Sequence, residues 1–401
     1  MQEVVIVAGV RTAIGDFGGS LKDFAPTALG AKVIAELLRR ADVAPDAVEH
    51  VVMGNVIQTD PLDMYLARVA AVEAGIPFDA PALTLNRLCG SGLQAVVSAA
   101  QMLALGDCQV AVAGGAESMS RSGYLLPAAR WGAKMGNQPL VDMMLGALND
   151  PFGSGHMGLT AERVAASHGI DRASQDAFAL ASHRKASAAI AAGRFREQIM
   201  PIEITVKRET VAFAQDEHVR TDVSLDSLSA LRPAFQKDGS VTAGNASGIN
   251  DGAAALLLMT AAEAKRRGST PMARIVGYAH SGVDPKLMGL GPIPAVQKLL
   301  ARTGLKVADL DVIESNEAFA AQACAVNKAL QLPPEKVNPN GGAVALGHPV
   351  GATGARMLFD AAKQVSGTAG DYQVENAATV QTLNIGGSFG TVVSFVVGLG
   401  G

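Results

Sequence analysis

The sequence predicts an α/β fold built twice over, and three observations lead there. Apolar strand-like runs alternate with helix-like runs, the second half repeats the first, and glycine-rich turns follow strands at matching places. The run VVIVA (4–8) precedes LGAKVIAELLRRA (29–41) and HVVMGNVI (50–57). LTLN (83–86), CGSGLQAVVSAAQMLALG (89–106) and QVAVAGG (109–115) follow. Unbroken Val/Ile runs between helices indicate parallel strands covered on both faces.

The repeat is explicit. AKVIAELLRRADVAPDAVEHVVMGN (31–55) parallels AVQKLLARTGLKVADLDVIESN (295–316): a helix, a short Asp-bearing turn, then a strand ending at Asn55 or Asn316. From Asn55 to Cys89 is 34 residues, and from Asn316 to His348 is 32. Either an ancestral unit was duplicated or two α/β units resemble each other by chance; duplication would bring Cys89 and His348 towards one pocket. Residues 119–245 differ, with Met- and Pro-rich loops, helices over 160–168 and 172–192, and the polar stretch KRETVAFAQDEHVR (207–220). They read as an insertion. The expected domains are an N-terminal half (1–118 plus 246–268), a loop domain (119–245) and a C-terminal half (269–401).

Composition narrows the function. With 401 residues, 49% hydrophobic and 17% charged, the chain has the material for several packed layers and is not a disordered one. The 33 basic and 37 acidic residues give −4 with no basic block, and aromatics are only 4%, which argues against nucleic acid. Three cysteines (Cys89, Cys108, Cys324) form neither a disulfide framework nor a CxxC metal motif, so a reducing cytoplasm is expected and no metal. The start MQEVVIVAGVRT has no basic n-region, and TVVSFVVGL (391–399) is shorter than a membrane span; both read as buried strands, with no membrane partner expected.

Chemistry gathers at three turns. Cys89 follows a strand and opens a helix between Gly90 and Gly92, where the helix dipole and unpaired N–H groups would acidify a thiol and hold an oxyanion. The bland reading is a small buried apolar residue, and it suits Cys108. His348 stands in GGAVALGHPVGATG, where a neutral imidazole would accept a thiol proton. His50, His168, His183, His218 and His280 lack such a setting and read as surface or satisfied core residues. NIGGSFG (384–390) offers further N–H donors, and Asn316-Glu317-Ala318-Phe319 ends a strand where pockets form in α/β proteins.

Together these blocks resemble the thiolase family. Its signatures are matched by Cys89-Gly90-Ser91-Gly92, by Asn316 to Phe319 and by Gly347-His348-Pro349, in order, with HMGLTAE (156–162) and TAGNASGINDGAAA (242–255) between them. The resemblance, closest to biosynthetic and broad-chain 3-ketothiolases, implies a five-layered αβαβα fold and ping-pong acyl transfer between CoA thioesters. It implies that Cys89 takes the acyl group and that His348 activates it and then the CoA thiol. His348 with a water on Asn316 would form one oxyanion hole, and the N–H groups of Cys89 and Gly386 the other. Arg220, Ser227, Ala243 and Ser247 would meet CoA, while His156, Met157, Ala318 and Phe319 would line the acyl end. Coenzyme A would be a substrate, with no tightly bound cofactor. The segment 118–136 would tether dimers into a homotetramer.

The fourth signature departs. Where thiolases carry a second cysteine, which moves the α-proton, this chain has Asn384, and no cysteine follows Cys324. A carboxamide cannot carry that proton. Sterol-carrier-type thiolases place the second cysteine in the Asn-Glu-Ala-Phe block, but here that slot is Ala318. A decarboxylating condensation, as in ketoacyl synthases, would tolerate Asn. So would a transferase with weak thiolysis, or a non-catalytic acyl-CoA binder.

Overall fold

The computed structural model describes residues 1–386 and 391–398, and side chains outside 385–397. Sequence order sets up the first half directly. Strand β1 (Val4–Thr12) leads to helix α1 (Pro26–Arg40), which starts at Pro26, where a missing N–H costs nothing, and buries Leu29, Val33, Ile34, Leu37 and Leu38. Strand β2 (His50–Gly54), helix α2 (Leu66–Glu73), strand β3 (Ala82–Leu85), helix α3 (Ser91–Leu105) and strand β4 (Val110–Ser118) follow.

The insertion contributes α4 (Met157–His168), α5 (Arg172–Ala191) and a hairpin of Ile202–Val206 with Glu209–Phe213. The polar stretch 207–220 thus holds a hairpin strand, because turn residues Lys207 and Arg208 adopt positive φ and let the chain reverse. The chain then returns as β5 (Asn250–Thr260) and enters the second half. That half consists of β6 (Ala273–Ser281), α6 (Pro292–Thr303), β7 (Val312–Ser315), α7 (Ala320–Leu330), α8 (Thr353–Val365), β8 (Thr379–Gly386) and β9 (Thr391–Gly398).

Pairing shows the duplication. The order β1-β5-β4-β2-β3 recurs as β6-β9-β8-β7, and Val337 bridges Ile313 where β3 would lie. Both halves run antiparallel, antiparallel, then parallel along this path. Two residue pairs between β1 and β6 join the halves into one curled sheet. A one-turn helix, Pro45–Ala47 or Val307–Asp309, sits in the connection before β2 and before β7.

Five layers result: α1 and α2 outside the first half-sheet, α6 and α7 outside the second, and α3 with α8 between them. All thirteen residues of α8 are buried, and β4 and β5 are buried along their whole length, as expected of strands covered on both faces. The run Leu88–Leu105 is apolar and long enough by composition to cross a membrane, but 56% of it is buried inside the molecule, so it is a core helix.

The insertion is fastened to β1 by a buried ion pair. Arg11 donates to both carboxylate oxygens of Asp216 at 2.7 and 2.9 Å, and Ile14 N–H donates to the same carboxylate at 2.8 Å. Both charged side chains are almost wholly excluded from water. Asp216→Asn would leave the guanidinium without its counter-charge, so we expect it to lower unfolding stability by about 3–5 kcal/mol in urea titrations.

Candidate active site

Cys89 stands at the N-terminal approach to α3, on a turn that is held in place. Leu88 has φ 46°, a left-handed conformation costly for a leucine. It persists because Asn86 Oδ1 accepts from Leu88 N–H (2.9 Å) and Ser91 donates to Leu88 O from N–H (2.8 Å) and Oγ (2.6 Å). Ser91 Oγ also accepts from Arg87 N–H. The turn aims Cys89 into a cavity of about 550 Å³.

His348 enters the same cavity from the equivalent turn before α8. Gly347, at φ 95°, is required there: a methyl group would lie 2.6 Å from the Asn250 side chain, whose Oδ1 accepts from His348 N–H at 2.8 Å. Thr353 hydroxyl has one proton, which goes to Pro349 O (2.9 Å). At its 2.8 Å contact with His348 Nδ1 the imidazole is therefore the donor. The lone pair lies on Nε2, where Asn316 Nδ2 approaches at 3.5 Å. Burial, reinforced by Arg356, pushes the imidazole down to about 3, so it is neutral throughout the physiological range.

The thiol differs from the expectation of an acidified nucleophile. Cys89 as a residue is half-buried, but protein surrounds the sulfur, and desolvation with the nearby Glu117 carboxylate pushes it up to about 12. The helix N-terminus acts in the opposite direction and is outweighed. The resting pair is thus a thiol and a neutral imidazole. Glu117 itself is buried and accepts from Asn55 Nδ2 and the N–H groups of Val56, Ile57 and Gly351, joining the two halves beneath the site.

Of the other expected residues, His156, Met157, Arg220, Ala243, Ser247, Ala318 and Phe319 line the cavity. His156 Nδ1 accepts from Gly158 N–H (3.0 Å), and its ring stacks on Phe235, which meets Phe319 edge-on. Ser227 does not line it; its hydroxyl and N–H are used in a capping box with Ser224, and it is exposed. Asn316 and Asn384 also lie outside the lining and are buried, Asn316 touching the cavity residue His348. Asn384 is fully buried, with neither Nδ2 nor Oδ1 in any hydrogen bond, and Asn316 Oδ1 is likewise unpaired. Gly386 ends β8, paired with Thr391; the turn 387–390 lies outside the described residues.

Sequence reading missed two features. Phe235 supplies the aromatic wall, and its need for space is written in Gly158, where a methyl would lie 2.3 Å from the ring. His218 lines the cavity with its Nδ1 hydrogen-bonded to Asp16, so the surface-or-core reading of that histidine is corrected. No local signal joins Asp16 to His218, which are 202 residues apart. Cys324 lines a separate, smaller cavity with Lys185 and Glu317, and burial pushes its thiol up to about 11.

Two family models divide the chain between them: the thiolase N-terminal domain matches residues 4–262 and the thiolase C-terminal domain residues 269–396. This chain belongs to the thiolase family. It is 60% identical over 395 residues to the beta-ketothiolase BktB of Cupriavidus necator, covering 98% of this chain and 99% of the relative. Among solved structures it is similar to the Bacillus anthracis acetyl-CoA acetyltransferase, with TM-score 0.94, 44% identity and 99% of each chain covered. It is also similar to human mitochondrial 3-ketoacyl-CoA thiolase solved in complex with CoA, with TM-score 0.93, 40% identity, 100% of this chain and 98% of that one. The thiolase is thus an acyltransferase, with the thiolase fold in two similar halves.

The pKa directions make a test. Alkylation of Cys89 by iodoacetamide should rise roughly tenfold per pH unit from pH 7 to 10, because the thiolate fraction grows until the pKa is reached. His348 does not titrate in that window and adds no inflection. A rate that levels off below pH 9 would show a preformed thiolate instead.

Proposed function

We propose that this thiolase carries acyl groups between CoA thioesters through an acyl-enzyme on Cys89, in the manner of an acetyl-CoA acetyltransferase or 3-ketoacyl-CoA thiolase. The observation that supports this most is the single cavity shared by Cys89 and His348, with the imidazole tautomer fixed by Thr353. His348 Nε2 takes the Cys89 proton as sulfur attacks the thioester carbonyl and later takes the CoA thiol proton. Backbone N–H groups of Cys89 and Gly386 receive one oxyanion, and His348 with a water on Asn316 the other. Arg220, exposed at the rim, meets the phosphates of CoA, with Ser247 and Ala243 along the pantetheine arm. Phe235, Phe319, His156 and Met157 enclose the acyl end. The working compartment is the cytoplasm.

Incubation with acetyl-CoA should add 42 Da, one acetyl group, to Cys89 alone (about 42 Da is the mass of that group in any covalent acyl-enzyme). Cys89→Ser should lose transfer by three orders of magnitude or more, roughly the scale of removing a covalent nucleophile. Acetylation that persists in the serine variant at an unchanged rate would refute the assignment.

Assembly is read from the insertion. Tyr124, Leu125, Trp131, Met135 and Leu140 are all exposed on it, a concentration of apolar side chains that a lone soluble chain rarely leaves in water. We expect a homotetramer, two dimers joined through these loops. Light scattering at micromolar concentration should give four times the chain mass, and Trp131→Glu with Met135→Glu should reduce it to two.

A further inference from the structure

Asp216, Glu217 and His218 all reach back to β1 and the loop after it, and the first two account for the fastening. Asp216 pairs with Arg11, and Glu217 accepts from Asp16 N–H at 2.8 Å and from the N–H and hydroxyl of Ser20. His218 adds little to that attachment. Its ring instead lines the cavity that holds Cys89 and His348.

Asp16 decides which ring nitrogen accepts. Its carboxyl is held below the usual carboxylate range, chiefly by the hydrogen bond with His218. An ionised carboxylate only accepts, so Nδ1 is the donor, and the lone pair of the neutral ring is on Nε2. Asn250 Nδ2 donates to the same Asp16 oxygen at 3.2 Å and fixes the carboxylate from another side. Nε2 has no hydrogen-bond partner among the described residues, and the side chain is only partly buried.

Gly248 makes room for the ring. A methyl there would lie 2.4 Å from His218 Cε1 and 2.7 Å from Nε2, so the edge with the lone pair rests on bare backbone. The next residue, Ile249, packs in the apolar group that includes Cys89. Arg220, two residues from His218, is exposed at the rim. The imidazole thus sits between the rim and the thiol.

A CoA thioester entering this cavity brings an arm with two amide groups between its phosphates and its sulfur. Walls such as Phe17, Met119, Phe235, Met288 and Val350 give an amide N–H no acceptor, and an amide that leaves water without one is penalised. His156 has its Nδ1 lone pair on Gly158 N–H, so its neutral ring presents only an N–H. His348 Nε2 faces Asn316. Among the imidazoles, His218 Nε2 is the oriented acceptor that remains.

We propose that His218 is a specificity-determining residue of the acyl transfer: its Nε2 accepts the N–H of an amide in the arm of the CoA thioester, with Asp16 positioning the ring. The proposal rests on the acyl-transfer reading of the cavity. It gives this site a reason to select thioesters whose arm carries an amide.

The test follows acetylation of Cys89 by mass spectrometry with three donors. Acetyl-CoA is the first; S-acetylpantetheine keeps both amides without phosphates or nucleotide; S-propyl thioacetate has no amide. In His218→Ala the second-order rate should fall about tenfold with the first two donors, roughly the worth of one hydrogen bond, and less than about twofold with the third. His218→Gln, whose Oε1 can still accept, should stay within about threefold of wild type with every donor. Asp16→Asn no longer fixes the tautomer and should repeat the donor pattern of His218→Ala. A loss confined to acetyl-CoA would put the contact on the phosphates or nucleotide and overturn the proposal. An equal loss with all three donors in both His218 variants, or no loss with any, overturns it too. If no donor acetylates wild-type Cys89, the acyl-enzyme reading fails by itself. Calorimetric binding of pantetheine then reads the same contact, and equal affinity in wild type and His218→Ala overturns the proposal.

Discussion

The structure turns on one close approach, the crossing of α3 and α8 at their N-terminal ends between the two half-sheets. A methyl group on Gly92 would lie 2.8 Å from Ala355 N and 3.0 Å from Gly351 O, and one on Gly354 would lie 2.7 Å from Leu93 N. Gly115 is tighter still, with Gly351 O only 1.9 Å from where its Cβ would stand. Real side chains do not tolerate such distances, so these glycines are a condition of the packing. Because both helices begin at this crossing, the turns that precede them are brought to one place, and those turns carry Cys89 and His348.

Helix N-termini are donors of N–H groups and of positive potential, and here two of them converge in a buried volume. That suits a site in which negative charge must develop on oxygen. Yet the resting thiol gains little from it: burial dominates and holds the proton on sulfur, with Glu117 a lesser contribution in the same direction. In the proposed acyl transfer, such an arrangement would favour the charged states reached during reaction more than the thiol at rest, and only stabilisation of that differential kind accelerates chemistry. Glu117 still serves the geometry, since its four hydrogen bonds tie the loop after β2 to the loop after His348.

Much of this was legible in the sequence, for physical reasons that differ by element. The duplicated helix–turn–strand pattern is local periodicity, and the matched pairing order of the two halves follows from it. Cys89 and His348 were readable because tight backbone needs glycine, and glycine leaves a mark. Membership of the thiolase family was legible in the ordered signature blocks. The hairpin strand within 207–220 was hidden because exposed strands carry polar residues and lack an apolar run. Asp16 and His218 were hidden because their meeting depends on how the insertion folds back over β1. Ser227, which the resemblance places near CoA, is exposed outside the cavity lining, with its hydroxyl donating to Ser224 O within its own helix cap.

Asn384 shows where structural and chemical demands separate. In the pairing of β2 with β4, Gly54 faces Gly115, and in that of β7 with β8, Ser315 faces Leu383. One residue further on, Asn55 matches Asn316 and Ala116 matches Asn384. The sister half therefore fills the same place with a fully buried methyl group, and the fold asks for nothing polar there. Neither end of the Asn384 carboxamide meets a protein partner among the described residues. Local rules broken without structural return are concentrated at functional sites. Asn384 is thus a residue that the layers around it do not call for, next in sequence to Leu383, whose carbonyl accepts from Asn316 N–H at 3.0 Å.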